Sequence, residues 1–264
     1  MLIFQHANFK LRKHFEKWLT ETGFYQKFHF YNLGITSVYG PKLSPRIWDM
    51  TFWFCCFGFY GKYFSRFLKT YKSNFVFVDV GANAGLYSLI AGQNHYCLHS
   101  HCFEPDPTTL RFLTKNIELN NAKNILAHNY AIADERGQKH VSVNRYHSGS
   151  LSLDAPSPTD EERYTISIEC VNASDLSDII STTEQELIIK IDVEGYERVV
   201  IVELLKCEFA QHIEHVYFEA GGSNENIETS IDLLTKAGFV SFYHSNFFGH
   251  KNIHMVRSRE AKLF

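Results

Sequence analysis

Residues 75–85 read Phe-Val-Phe-Val-Asp-Val-Gly-Ala-Asn-Ala-Gly, a strand-forming apolar run broken by one acid and closed by two glycines four apart. A helical pattern follows through residue 92. A buried strand that enters a helix through a glycine corner is the opening unit of a βα repeat, and it constrains the fold strongly. A strand apolar on both faces must be covered above and below, which is the condition of a parallel sheet with helices on both sides. The glycines let the backbone turn sharply and approach a ligand, while the helix start presents unpaired N–H groups. Such a corner binds something.

The rest of the chain continues the pattern. Residues 97–103 predict a second strand, 107–120 a helix with Leu110, Leu113 and Ile117 on one face, and 125–130 a third strand. Residues 137–171 change character: alternation over 140–143 and 164–171 around a polar loop predicts a hairpin-like insertion. Residues 187–193 return to a buried strand, a helix follows over 199–205, and a strand over 215–219. A helix over 226–236 and two strands near 239–243 and 252–256 close the order. At 264 residues the chain is long enough for one large domain with a full core.

Residues 1–72 differ from the remainder, so the expected division is an N-terminal extension over 1–72 and a core domain over 73–264. The extension carries eleven basic side chains against three acids and holds all three tryptophans and 21 of the 40 aromatics. It is expected to be a helical flap packed on the core, whose basic, aromatic surface could meet an anionic membrane or a lipid-linked substrate. No stretch reaches the ~18 apolar residues of a bilayer span, and the apolar run at 48–61 reads as a buried helix. No secretory signal pattern opens the chain, and the six cysteines show no CxxC pair. A cytoplasmic protein, with peripheral membrane contact as a further option, is the expectation.

Three features carry chemistry. Asp79, two residues before Gly81, would repel a pyrophosphate but could orient the ammonium end of an amino-acid ligand, which favours S-adenosylmethionine over a dinucleotide at this corner. Glu104, in Phe-Glu-Pro-Asp-Pro nineteen residues beyond Gly85, sits near the spacing at which an acid after the second strand reaches ribose hydroxyls. Finally, Leu-Ile-Ile-Lys-Ile-Asp-Val-Glu-Gly-Tyr-Glu at 187–197 sets Lys190, Asp192 and Glu194 at alternate positions of an apolar strand. Charges there are costly unless paired or facing a site, and the carboxyl ends of such strands form the ligand crevice.

Val-Asp-Val-Gly-Ala-Asn-Ala-Gly, Phe-Glu-Pro-Asp-Pro and Lys-Ile-Asp-Val-Glu-Gly-Tyr-Glu, in this order and spacing, closely resemble the signature of the FkbM family of S-adenosylmethionine-dependent methyltransferases. Phe57-Gly58-Phe59-Tyr60-Gly61 also resembles the family's lead-in, and the likeness spans roughly residues 50 to 260. The resemblance implies an α/β, Rossmann-like class I methyltransferase fold: a seven-stranded, mostly parallel sheet with helices on both faces and the last strand antiparallel. It implies O-methylation, often of a sugar hydroxyl in a glycan or of a natural-product hydroxyl. By motif position Asp79, Gly81, Asn83 and Gly85 would line the methionine moiety. Glu104, with Pro105 and Asp106 in its loop, would hold the ribose, Asn129 and Ala131 would lie near the adenine, and Asp192 is also expected to touch the cofactor.

A hydroxyl acceptor needs a base or a metal to lower its effective pKa. Asp192 is the expected base, with Lys190 fixing the local charge and Glu194 or Glu219 nearby. Asp192, Glu194 and Glu219 could equally hold Mg²⁺, and the sequence leaves that choice open. His147 and His250 are the alternative bases, and the loop at 146–150 is a candidate acceptor-binding element. The expected partner is a sugar or glycan acceptor. Nucleic acid is disfavoured, because the acidic residues 73–264 offer no basic channel. A nicotinamide oxidoreductase, weakened by the missing G-x-G-x-x-G, and a non-catalytic S-adenosylmethionine-binding module are the rival readings.

Overall fold

A computed structural model describes residues 33–59, 61–144, 146–152, 163–180, 185–220, 224–247 and 250–258. Residues 1–32 of the expected N-terminal flap lie outside them. The described chain opens with a small antiparallel pair, β1 (Ile35–Thr36) and β2 (Lys42–Leu43), followed by α1 (Met50–Phe57) and α2 (Lys62–Thr70). The Asp49 side chain caps α1 by accepting from the Thr51 N–H, and Gly58 ends it in the left-handed region.

Next come β3 (Phe75–Val80), α3 (Leu86–Gly92), β4 (Cys97–Phe103), α4 (Pro107–Leu119) and β5 (Ile125–His128). Asp106 caps α4, with Pro107 in its first turn. A second sheet follows, made of β6 (Ala131–Ile132), β7 (Gly137–Asn144), β8 (His147–Ser152) and β9 (Arg163–Val171) in the order β6-β9-β7-β8. The main fold resumes with α5 (Ala173–Ile179), β10 (Glu186–Ile191), α6 (Glu197–Lys206), a 3₁₀ turn at Glu208–His212, β11 (Ile213–Ala220), α7 (Asn224–Lys236), β12 (Phe239–Phe247) and β13 (His250–Arg257).

The main sheet has seven strands in the order β12-β13-β11-β10-β3-β4-β5, parallel except for β13, which runs antiparallel to both its neighbours. This is the Rossmann-like class I methyltransferase topology. Alternate residues of β3 feed opposite cores. Val76, Val78 and Val80 pack with Val200, Ile201 and Leu204 of α6 and Leu234 of α7. Phe75 and Phe77 pack with Phe52 of α1, Phe64 and Leu68 of α2, and Leu89 and Ile90 of α3. The described part of the N-terminal extension therefore completes one face of the sheet.

The structure departs from the sequence expectations at three places. The strand expected over 125–130 is split, because the Asn129 side chain donates to the Glu104 and Pro105 carbonyls (both 2.9 Å) and the chain then leaves for the second sheet. The strand expected through residue 193 stops at Ile191. Asp192 follows it, and Glu194 and Gly195 turn the chain with φ +50° and +97°. The apolar run at 48–61 forms α1, yet Phe57 and Phe59 remain 59% and 58% exposed.

Candidate active site

A cavity of 310 Å³ opens at the carboxyl ends of β3, β4 and β10. Its floor is the glycine corner. Gly81 and Gly85 have φ +72° and +79°, and Asn83 between them has φ +50°. A Cβ on Gly81 would lie 1.9 Å from the Asp192 carbonyl oxygen, so only glycine lets β3 and β10 close here. The corner is stitched to β4 by the Gly81 and Ala82 N–H groups, which both donate to the Phe103 carbonyl at 3.0 Å.

Glu104 follows directly. It is buried and lines the cavity, and its two carboxyl oxygens accept from the N–H groups of Asn83 (2.9 Å) and Asp106 (3.0 Å). No cation among the described residues pairs with it. Burial pushes its carboxyl up to about 7, partly offset by those two N–H donors. This is a preorganised acceptor with lone pairs to spare, the chemistry that suits a vicinal diol.

On the face of the sheet covered by α1, α2 and α3, Lys190 stands directly opposite Asp79 in the β10–β3 register. Its ammonium lies 3.2 Å from the Asp79 carboxylate and 3.6 Å from that of Asp192, and it donates to the Gly81 carbonyl at 2.7 Å. The side chains of Lys190 and Asp79 are 4% and 0% exposed. Burial alone would lower the lysine's pKa, but the Asp79 and Asp192 charges outweigh it and the ammonium is held above its usual range. Asp79 accepts a second bond from the Ser88 hydroxyl at 2.7 Å.

Beyond the corner the wall is acidic. Glu219 shares the sheet face of Lys190, and burial followed by the neighbouring Asp192 carboxylate pushes it up to about 8. Glu194, exposed at the rim as a whole residue, is also pushed up to about 8 by water lost around its carboxyl and then by Asp192 and Glu197. Tyr87 of α3 completes this side, 5.7 Å from the Lys190 ammonium to its ring. Burial, then Tyr217, Glu219 and Asp192, hold its phenol well above the ordinary value, so it is an O–H donor.

A buried polar chain ties the extension to the corner. Arg46 pairs with Asp49 at 3.2 Å and donates to Thr109 at 3.0 Å, and Thr109 in turn donates to Asp106 at 2.7 Å. Asp49 accepts from the Ser148 N–H at 3.3 Å, and the Ser148 hydroxyl bonds the Asn83 side chain at 3.0 Å. The β7–β8 hairpin is thereby pinned across the cavity mouth.

Of the residues expected in the site, Gly81, Asn83, Glu104, Pro105, Ala131, Lys190, Asp192 and Glu194 line this one cavity. Asp79, Gly85, Asp106, Asn129 and Glu219 do not, and each has another placement. Asp79, expected at the methionine moiety, pairs with Lys190 and accepts from the Ser88 hydroxyl. Asp106 caps α4 and Asn129 ties the Glu104 loop, while Gly85, where a Cβ would meet Leu113 at 2.3 Å, seats α3 on α4. His147 does not line the cavity, and the His250 side chain lies outside the described residues. The 146–150 loop contributes Ser148 and Gly149. Thr51, Cys55, Tyr87, Lys139 and Tyr196 were missed; they join the wall only through tertiary packing. Among the described residues no group of three or more His, Cys, Asp or Glu is arranged to hold a metal ion, so the expected Asp192, Glu194 and Glu219 set does not form such a group.

These features fit S-adenosylmethionine. Glu104 offers a buried carboxyl for ribose hydroxyls, the glycine corner admits close backbone approach, and Phe103, Ala131 and Ile132 provide an apolar wall for a base. Fold and site together define an S-adenosylmethionine-dependent methyltransferase. The model of the methyltransferase FkbM domain matches residues 79–241, and the chain belongs to that family. A curated relative, "Methyltransferase 1" of Beauveria bassiana (strain ARSEF 2860), is 24% identical over 178 residues, covering 62% of this chain and 71% of its own. Among solved structures, M. capricolum TrmK in complex with S-adenosyl-homocysteine aligns at 12% identity and TM-score 0.46, over 75% of this chain and 69% of that one. A precorrin-6y C5,15-methyltransferase from Geobacter metallireducens GS-15 aligns at 11% and 0.43, over 74% and 86%.

Glu104→Gln is expected to weaken S-adenosylhomocysteine binding by about 10–100-fold, the range for a hydrogen bond to a charged acceptor. The sign with pH follows from the raised carboxyl: affinity of the parent should rise as pH passes through about 7 and Glu104 loses its proton. Calorimetry on both sides of neutrality checks this, and a parent profile as flat as that of the variant would remove Glu104 from the ribose site.

Proposed function

We propose that the protein is an O-methyltransferase acting on a hydroxyl of a sugar, in a glycan or a glycolipid precursor, at the cytoplasmic side of a cell. The observation that carries this reading is Asp192, a carboxylate on the cavity wall held 3.6 Å from the buried Lys190 ammonium. A sulfonium already carries a strongly electrophilic methyl group, so the demand on the protein falls on the acceptor. A hydroxyl is a poor nucleophile at neutral pH, and a positioned carboxylate that takes its proton as the new bond forms meets that need.

S-adenosylmethionine, when bound, supplies the methyl group. Glu104 and the Asn83 corner hold it, Asp192 accepts the hydroxyl proton at a carboxylate oxygen, and Lys190 fixes the orientation of Asp192. The buried Tyr87 hydroxyl is a donor to the acceptor's ring or hydroxyl oxygens. Ser148 and Gly149 of the hairpin, with Thr51 and Cys55 of α1, narrow the mouth and exclude water. Lys139 and Lys190 are the cations that line the cavity, and Lys190 is already paired with Asp79 and Asp192, so the cavity offers no basic channel for a polyphosphate acceptor such as nucleic acid.

The test is incubation with isotopically labelled S-adenosylmethionine and a panel of free glycans, lipid-linked sugars and small phenols and alcohols, read by mass spectrometry. Label in an alkali-stable methyl ether on a sugar is the expected result. Label confined to non-sugar hydroxyls would move the acceptor to a natural product. Cofactor binding without label on any acceptor would point to a non-catalytic binding module.

A further inference from the structure

Three large apolar side chains outside the cavity stand together in solvent. Val38, Phe57 and Phe59 are 63%, 59% and 58% exposed. The Val38 N–H donates to the Cys56 carbonyl at 3.0 Å, which seats it on the C-terminal end of α1. The rings of Phe57 and Phe59 lie 6.1 Å apart, Phe59 meets Phe54 at 6.0 Å, and Trp53 stacks on Phe57 at 5.7 Å. Isolated exposed apolar residues are ordinary, whereas contiguous exposed aromatic groups are the kind of feature that marks interaction sites.

The exposed charges of the chain segment that carries it are of one sign. Between residues 33 and 74 the exposed charged side chains are Lys42, Lys62, Arg66, Lys69 and Lys72. The one acid there, Asp49, is buried and paired with Arg46. Lys62 and Arg66 lie on α2 immediately after the aromatic turn. Lys69 reaches the same place from the other end of α2, donating to the Tyr39 carbonyl next to Val38 at 2.6 Å. Aromatic rings flanked by basic side chains that form no ion pair among the described residues match the interfacial layer of an anionic bilayer, where rings enter at headgroup depth and ammonium groups meet phosphates. No helix among the described residues is long and apolar enough to cross a membrane.

We infer that Val38, Phe57 and Phe59, with the basic face of α2, form a docking surface for an anionic lipid bilayer. The surface stands on the observations above. Its use, which is to deliver a lipid-linked acceptor, rests on the reading in the previous section. The same helix connects the two places: Thr51 and Cys55 of α1 line the cavity, and Phe57 ends that helix on the exposed patch. Docking would therefore hold the cavity mouth near the headgroup layer.

The experiment is sedimentation of the full chain with vesicles of phosphatidylcholine alone and of phosphatidylcholine mixed with phosphatidylglycerol, without cofactor or acceptor, so its outcome is independent of the methylation assay. The parent should bind the mixed vesicles, release them with added salt, and leave pure phosphatidylcholine unbound. Lys62→Gln with Arg66→Gln should lower partitioning about thirty-fold, equivalent to ~1 kcal/mol per basic residue at an anionic surface. Phe57→Ser with Phe59→Ser should lower it about a hundred-fold or more, from the ~1.5 kcal/mol that burying each ring is worth. Circular dichroism and S-adenosylhomocysteine binding, both expected unchanged, confirm that the variants are folded. Absence of binding to the mixed vesicles, binding indifferent to both pairs of substitutions, or a dimer in light scattering that the Phe substitutions dissociate while vesicles stay unbound would each overturn the inference.

Discussion

Asp192→Asn is expected to lower kcat by about 10²–10⁴-fold, the usual contribution of a positioned general base, while S-adenosylhomocysteine binding changes by no more than about threefold. The asymmetry follows from the geometry. Asparagine is nearly isosteric, and the backbone N–H of residue 192 still donates to the Val80 carbonyl at 3.0 Å, so the corner keeps its shape. What is lost is the proton acceptor on the wall. Burst and steady-state methylation with the acceptor identified by mass spectrometry gives kcat, and calorimetry gives affinity. A variant with parental kcat would take the base away from Asp192. The pH profile separates its neighbour: Glu219, pushed up to about 8, holds its proton through neutrality and releases it above. An inflection near pH 8 that disappears in Glu219→Gln would mark Glu219 as the group that tunes Asp192 from behind the cavity wall.

Lys190→Met should be the most destabilising single change in the site. It leaves the fully buried Asp79 carboxylate with only the Ser88 hydroxyl, and removing one partner of a buried ion pair costs about 3–5 kcal/mol. Domains of this size are stable by only about 5–15 kcal/mol, so urea denaturation should show a large shift in midpoint with little change in slope. Adding Asp79→Asn should recover much of the loss, because the uncompensated charge is gone. A single variant within about 1 kcal/mol of the parent would mean that the pair contributes no more than a surface salt bridge.

The contrast between these two lysine contacts explains which parts of the molecule were legible in the sequence. The glycine corner, Glu104 and the βα order are written locally: strand run, turn residues and helix period follow one another along a few residues. Asp79 is equally visible, but its partner is not. Lys190 reaches it through the register of two strands far apart in sequence, so Asp79 was assigned to the ligand instead. Lys190, Asp192 and Glu194 alternate as a strand would, and that period concealed the turn made by Glu194 and Gly195. Asn129 ended a strand through its side chain, a tertiary event without a local signal. Ser148 lay in a loop marked as a candidate acceptor-binding element, and only the folded hairpin brings it to Asn83. Hydropathy read 48–61 as interior, because it measures how apolar a segment is and not which side faces water.

The bond between Ser148 and Asn83 has one further consequence. Asn83 gives its N–H to Glu104 and its side chain to the hairpin, so the buried Glu104 carboxyl and the hairpin strand share a single residue held in the left-handed region. Reciprocity then applies: whatever ligand draws Glu104 and Asn83 into one arrangement must favour the closed hairpin by the same factor that a closed hairpin favours the ligand. An acceptor that seats the hairpin would then raise affinity for the methyl donor, and the donor would raise affinity for the acceptor by the same factor, both through one asparagine.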